Sequence, residues 1–256
     1  MQFFLLEINK ISMETELWSV LRWGSEAEIS ERRRRLVVLD QAGSSGSFLL
    51  IWLMRMYVQA GVAVVFISTE RHLFHYLSVL RKLGLSLTKT KPLISFIDCL
   101  TETEAISPRP SFPEHRLELA SCVVKETRVH ETHAKGILHE LSERLEEAMA
   151  EENHPACVIV DNLSTLKQRI GENNLHQLWS LVRRLGISYT GLVHSDVETA
   201  GGMNEIIFGA DAVISVEPLS TGASMDYDGK CLVTMPTKTT DLLFRVEESR
   251  VRFFQK

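Results

Sequence analysis

The chain has 256 residues, a formal net charge of −5, 45% apolar and 24% charged residues. That length buries one sizeable core and fits a single large α/β domain better than two small ones, while ordinary apolar and charged fractions exclude wholesale disorder. The acidic balance excludes strong unaided nucleic-acid binding through overall charge, so any RNA affinity is local or shared with other subunits.

The first predicted element runs from Glu14 to Trp23, where Leu17, Trp18, Val20, Leu21 and Trp23 recur at helical spacing in an N-terminal extension of residues 1–35. Arg32–Arg35 follow as a four-arginine run, read either as a solvated turn before a buried strand or as a basic patch for nuclear import or RNA. From Leu36 onward, short apolar runs alternate with helical patterns. Strands are predicted at Leu36–Asp40, Val62–Ser68, Leu93–Asp98, Ala156–Asp161, Ser188–His194 and Asp211–Val216. Helices are predicted at Ser47–Ala60, Arg71–Leu83, Ala134–Ala150, Asn174–Leu185 and Asn204–Phe208. Strands that are nearly continuous apolar runs are buried on both faces, which predicts a three-layer α/β domain over residues 36–256: a mostly parallel central sheet flanked by helices. Turn signals at Ser220–Gly222 and Asp228–Gly229 precede Lys230–Met235, Leu242–Val246 and Val251–Phe254, predicting a C-terminal β-meander on one sheet edge. The stretch Thr101–His133 carries Pro108, Pro110 and Pro113 and reads as an insertion or lid, with room for a helix around Leu117–Lys125.

In an open α/β sheet the first strand–loop–helix turn is where a nucleotide phosphate sits. Here that turn is Leu39-Asp-Gln-Ala-Gly-Ser-Ser-Gly-Ser-Phe48. A working phosphate loop has the order G-x-x-x-x-G-K-[ST], in which the lysine meets the outer phosphates and the hydroxyl binds Mg²⁺. With Gly46 as the last glycine, Gln41 replaces the first glycine, Ser47 the lysine and Phe48 the hydroxyl. Phosphoryl transfer depends on charge neutralisation and positioning, so these losses predict a chain without efficient hydrolysis of its own; the turn also reads as a plain tight strand-to-helix connection. Two other positions keep an ATPase outline. Asp161 ends the strand Cys157–Asp161, where an acid orients a magnesium water or simply caps the next turn, and Glu70 follows Val64–Ser68, where RecA-like enzymes place a water-positioning glutamate.

The sequence resembles the Elongator subunit 6 family. The likeness is carried by Gly46–Leu50, His75-Tyr76, Lys82–Thr88, Ile159–Ser164, Leu192–Asp196, Glu217–Gly222 and Glu248–Phe254, in that order, from about Leu36 onward. It departs from the family pattern in the extension through Arg35 and in Thr101–His133. The resemblance implies a RecA-like fold and a non-catalytic subunit of the Elongator complex, without a cofactor of its own. It also implies assembly with subunits 4 and 5 into a hetero-hexameric ring, and through them with the rest of Elongator, a ring that binds tRNA and supports wobble-uridine (U34) modification. Two other readings stay open: an ATPase subunit contributing residues in trans to composite nucleotide sites, and a recombinase-like DNA-binding paralogue.

In RecA-type rings the loops after the fourth and fifth strands face the pore. These are read as Asn162–Asn173, with Lys167 and Arg169 as candidate tRNA-phosphate contacts, and Ser195–Met203, with the glycine pair Gly201-Gly202. His194 is read as a satisfied rim residue or a sensor of a neighbouring nucleotide. His130 and His133 lack a third ligand at metal spacing, and the four cysteines form no C-x-x-C pair, so no metal is expected. Trp52 and Tyr57, on the helix after the phosphate loop, are assigned to the core, with a subunit contact as the other reading. Met1–Glu7 is too short an apolar run for a signal sequence and no later stretch is long enough to span a bilayer, so a cytosolic or nuclear protein without membrane contacts is expected.

Overall fold

The structure, a computed structural model, describes residues 15–23, 28–29, 33–84, 94–100, 124–129, 133–151, 156–198 and 203–255. In chain order the elements are α1 (Thr15–Val20), β1 (Arg35–Asp40), α2 (Ser47–Gln59), β2 (Ala63–Ser68), α3 (Leu73–Lys82), β3 (Ile94–Asp98), β4 (Val124–Arg128) and α4 (Ala134–Glu151). They continue with β5 (Ala156–Val160), α5 (Leu163–Ile170), α6 (Glu172–Leu185), β6 (Ser188–His194), α7 (Asn204–Phe208), β7 (Ala212–Glu217), β8 (Gly229–Met235), β9 (Lys238–Glu247) and β10 (Arg250–Gln255).

The ten strands form one sheet in the order β10-β9-β8-β7-β1-β6-β5-β2-β3-β4. Pairing is parallel from β7 through β1, β6, β5, β2 and β3 to β4, and antiparallel along β7-β8-β9-β10. The apolar runs read in the sequence are therefore the parallel centre, and the meander extends one edge as expected. Successive residues of a strand point to opposite faces, and the core divides accordingly. Val38, Val64 and Phe66 join α2, α3 and the meander on one face, whereas Val37, Val65 and Ile67 join α4, α5 and α6 on the other.

The N-terminal segment takes part in the first of these cores. Leu17, Leu21 and Trp23 are buried there, α1 lies against β10, and Trp23 meets Tyr57 edge to face with ring centroids 5.9 Å apart. Trp52 and Tyr57 are fully inside, so α2 offers neither as a surface contact. No helix among the described residues is long and apolar enough to cross a membrane.

Two local expectations are corrected. The helix placed around Leu117–Lys125 does not hold at its C-terminal end, where Val124–Arg128 forms β4, parallel to β3; residues 117–123 lie outside the described residues. Pairing with an exposed parallel edge supplies backbone hydrogen bonds that override weak helical propensity. The stretch Asn162–Asn173, read as a loop, is helical from Leu163 to Ile170 and again from Glu172. Its start is fixed by the Asn162 side chain, which accepts a hydrogen bond from Thr165 N–H at 2.9 Å, and its inward face by Leu163, Leu166 and Ile170.

Candidate functional site

The carboxyl ends of β1, β2, β5 and β6 meet at one edge of the sheet, and an open cavity of about 440 Å³ lies there. Asp40, the loop 41–47, Glu70, Arg71, His194 and Asp196 line it. Of the positions aligned with a nucleotide site, Ser47 and Glu70 line this cavity, Gly46 lies in the same turn, and Asp161 accepts from Glu70 N–H.

Gly46 has no room for a side chain. A Cβ there would stand 2.7 Å from Val38 Cγ1 and 2.9 Å from Leu192 Cδ1, so the loop enters α2 pressed against the ends of β1 and β6. Its backbone N–H, which in a phosphate loop would point at the ligand, instead donates to Asp40 Oδ2 at 2.8 Å. Ala42 N–H donates to Asp196 Oδ2, also at 2.8 Å, Ser44 N–H to the Gln41 carbonyl at 3.0 Å, and Ser47 N–H to Ser45 Oγ at 3.3 Å. Two backbone donors of this turn are thus occupied by the chain's own carboxylates and are not free for an anionic ligand. Ser47 brings no cation. Its hydroxyl is paired with that of Ser45 at 3.1 Å.

Asp40 is almost completely buried and has a second partner. Its Oδ1 lies 2.5 Å from His194 Nδ1, while His194 Nε2 lies 3.0 Å from Glu70 Oε1. Asn162 Nδ2 donates to the same Glu70 oxygen. The result is a continuous line, Asp40–His194–Glu70–Asn162, that joins β1, β6, β2 and the cap of α5. Burial disfavours the charged imidazole, but both ring nitrogens face carboxylates and only imidazolium can donate to both. Hydrogen bonds and charge from Asp40 and Glu70 outweigh burial and hold the His194 pKa above its ordinary value. Where a working site has a lysine, the group facing these acids here is a histidine, whose imidazolium form pairs with the protein's own carboxylates.

Asp161 lies beneath this line and is 2% exposed. Thr69 N–H donates to Oδ1 at 2.7 Å and the Thr69 hydroxyl at 2.9 Å; Tyr76 O–H donates to Oδ2 at 2.5 Å and Glu70 N–H at 3.2 Å, with Ser68 Oγ 2.7 Å away. A carboxylate offers roughly four lone-pair directions, so Asp161 is saturated by the turn after β2. Burial raises its pKa, opposed by the bonds from Tyr76, Ser68 and Thr69. In the geometry seen here it acts as the clasp of the β2–α3 turn, with no lone pair turned toward the cavity for a metal-bound water.

The two candidate tRNA-phosphate residues sit on a helix, not a loop. Lys167 is paired with Glu198, and the two side chains are only 16% and 10% exposed. Arg169, on the same helix, is half-buried and close enough to Cys99 for its charge to act on that thiol, which burial pushes up to about 12. Of the second candidate pore loop, residues 195–198 and Met203 are described, and the glycine pair lies outside the described residues. Sequence reasoning missed Asp40 and Asp196. Each stands beside a recognisable segment, Asp40 directly before the glycine-rich turn and Asp196 directly after His194-Ser195, and an acid at either place is the local sign of a carboxylate available to the turn's N–H groups.

The sequence matches the family described as Elongation complex protein 6 over residues 15–253. The chain belongs to the elongation complex protein 6 family, that is, Elongator subunit 6. Comparison with curated proteins finds no match. Among solved structures, the chain is similar to an uncharacterized Pyrococcus horikoshii protein in complex with an unknown peptide, at TM-score 0.56 and 11% identity over 88% of this chain and 93% of that one. It is also similar to a KaiC-like protein from Pyrococcus horikoshii OT3, at TM-score 0.56 and 13% identity over 89% and 94% of the two chains. At such identities the likeness concerns the fold, which is RecA-like. This member of the Elongator subunit 6 family has a RecA-like sheet whose first strand-to-helix turn gives the N–H groups of Gly46 and Ala42 to Asp40 and Asp196.

Proposed function

We propose that this chain is a non-catalytic subunit of the Elongator complex that assembles with subunits 4 and 5 into a hetero-hexameric ring, and that the ring binds tRNA and supports wobble-uridine modification. One observation carries the non-catalytic part: the cradle N–H groups of Gly46 and Ala42 are held by Asp40 and Asp196, with no lysine to compete. A triphosphate entering the cavity would meet three carboxylates, Asp40, Glu70 and Asp196, and would have to displace two of them from backbone donors. Family membership supports the Elongator assignment, and the RecA-like fold supports a ring of similar domains.

For the tRNA contact, Arg169 carries more weight than Lys167, because Lys167 must first leave Glu198. The assembly reading is tested by co-expressing the chain with subunits 4 and 5 and measuring the native mass. A heterohexamer without magnesium-dependent ATP turnover by the isolated chain is expected; a monomer that hydrolyses ATP alone would refute it. In the assembled ring, Arg169→Ala should lower the salt slope of tRNA binding by about one contact's worth, and an unchanged slope removes Arg169 from the interface.

A further inference from the structure

At the opposite end of the sheet from the cavity, the fold gathers arginines from two distant segments. Arg33, Arg34 and Arg35 lead into β1, and Arg183 and Arg184 end α6. Gly186 caps α6 in the left-handed conformation (φ 63°), and the Arg33 guanidinium lies over it in the space a Cβ would fill, which brings the two segments together. Charge from both Arg35 and Arg183 acts on Tyr189, and charge from both Arg34 and Arg35 acts on Asp211, so the cluster is contiguous.

The carboxylates paired with it leave it basic. Arg35 holds Asp211 through two contacts of 2.8 and 3.2 Å, Arg183 holds Glu205 at 2.7 Å, and Arg184, 74% exposed, reaches Glu146 only at 3.7 Å. Pairs between exposed groups are weak and exchangeable, so an incoming anion with better geometry can replace them. Every cation in the cluster is arginine, whose planar fork matches two phosphate oxygens at once. A groove of about 450 Å³ between α4 and α6 opens beside Arg184, with Leu138 and Leu181 as its apolar part and Ser142, Glu146, His176, Gln177 and Ser180 as polar groups.

We propose that this arginine cluster binds the phosphodiester backbone of a single-stranded nucleic-acid segment. The site is distinct from the Lys167 and Arg169 helix, and its failure would leave that reading untouched.

The test uses the full chain and fluorescein-labelled single strands of identical sequence, one RNA and one DNA, in anisotropy titrations over a salt series. Wild-type chain should bind at least one strand, and the tighter of the two names the source. Arg33→Ala/Arg184→Ala should weaken binding and flatten the salt dependence by about 1.4 logarithmic units for two lost contacts at about 0.7 each. The lysine double variant should keep the slope while binding more weakly, and Lys167→Ala/Arg169→Ala should leave isolated-chain binding unchanged. Thermal melts check that each variant is folded. Identical slopes for wild type and the alanine variant, or capture of a labelled polyglutamate peptide with neither nucleic acid bound, overturn the proposal.

Discussion

Replacing Asp40 by asparagine tests the line Asp40–His194–Glu70–Asn162, and its effect depends on pH with a sign fixed by the geometry. Asparagine keeps the size of aspartate and can still accept from Gly46 N–H through Oδ1, which leaves its Nδ2 amide facing His194 Nδ1. Neutral His194 with its proton on Nε2 can accept that amide and still donate to Glu70. Protonated His194 cannot, because two donors would then face each other. The folded-state pKa of His194 is raised, so the stability its pairing supplies is complete below the unfolded value and is lost as pH rises through the folded one. Asp40→Asn should therefore cost most on the acid side and least on the alkaline side. A charge-assisted hydrogen bond contributes about 1.5–3 kcal/mol when intact, and the histidine side chain is 30% exposed, so about 2 kcal/mol near pH 6 and under about 1 kcal/mol near pH 9 is expected. Urea unfolding of wild type and variant at both pH values measures it. An equal penalty at the two pH values would refute the charge relation between Asp40 and His194.

Gly46→Ala forces a methyl group against Val38 and Leu192, so overpacking should cost about 1–3 kcal/mol and lower Tm in a thermal melt. Tyr76→Phe removes the 2.5 Å hydrogen bond to buried Asp161 and should cost about 1–3 kcal/mol by chemical denaturation, since the acid is left one donor short. Ser47→Lys should not restore ATP turnover in a coupled phosphate-release assay, because the new ammonium has Asp40, Glu70 and Asp196 as neighbours and the donors of Gly46 and Ala42 remain occupied.

How much of this was legible in the sequence depends on the range of the interaction. Six of the seven strands in parallel pairing were readable because each is an apolar run bounded by turn residues, and Phe66 or Ile159 gives the same local signal wherever the chain goes. Strand β4 was not, because Val124–Arg128 has a single strongly apolar residue at its start and owes its conformation to β3. Helix α5 was hidden by its polar residues, Ser164-Thr165 and Lys167–Arg169, although Asn162 before an apolar residue and Leu163, Leu166 and Ile170 at helical spacing were the local signs of it. At the site, the loss of the lysine was visible in the sequence. Its replacement was not, because Asp40 and His194 are 154 positions apart and Glu70 and His194 are 124 apart, and the β1–β6, β5–β6 and β2–β5 pairings bring them together.

With the N–H groups of Gly46 and Ala42 held by the chain's own carboxylates, Mg-ATP should find no site at the 41–47 turn. Isothermal titration of the purified full-length chain with Mg-ATP, followed by assay of the same sample for released phosphate, tests it most directly. No binding heat and no turnover are expected; saturable ATP binding at the 41–47 turn with phosphate release would contradict the account.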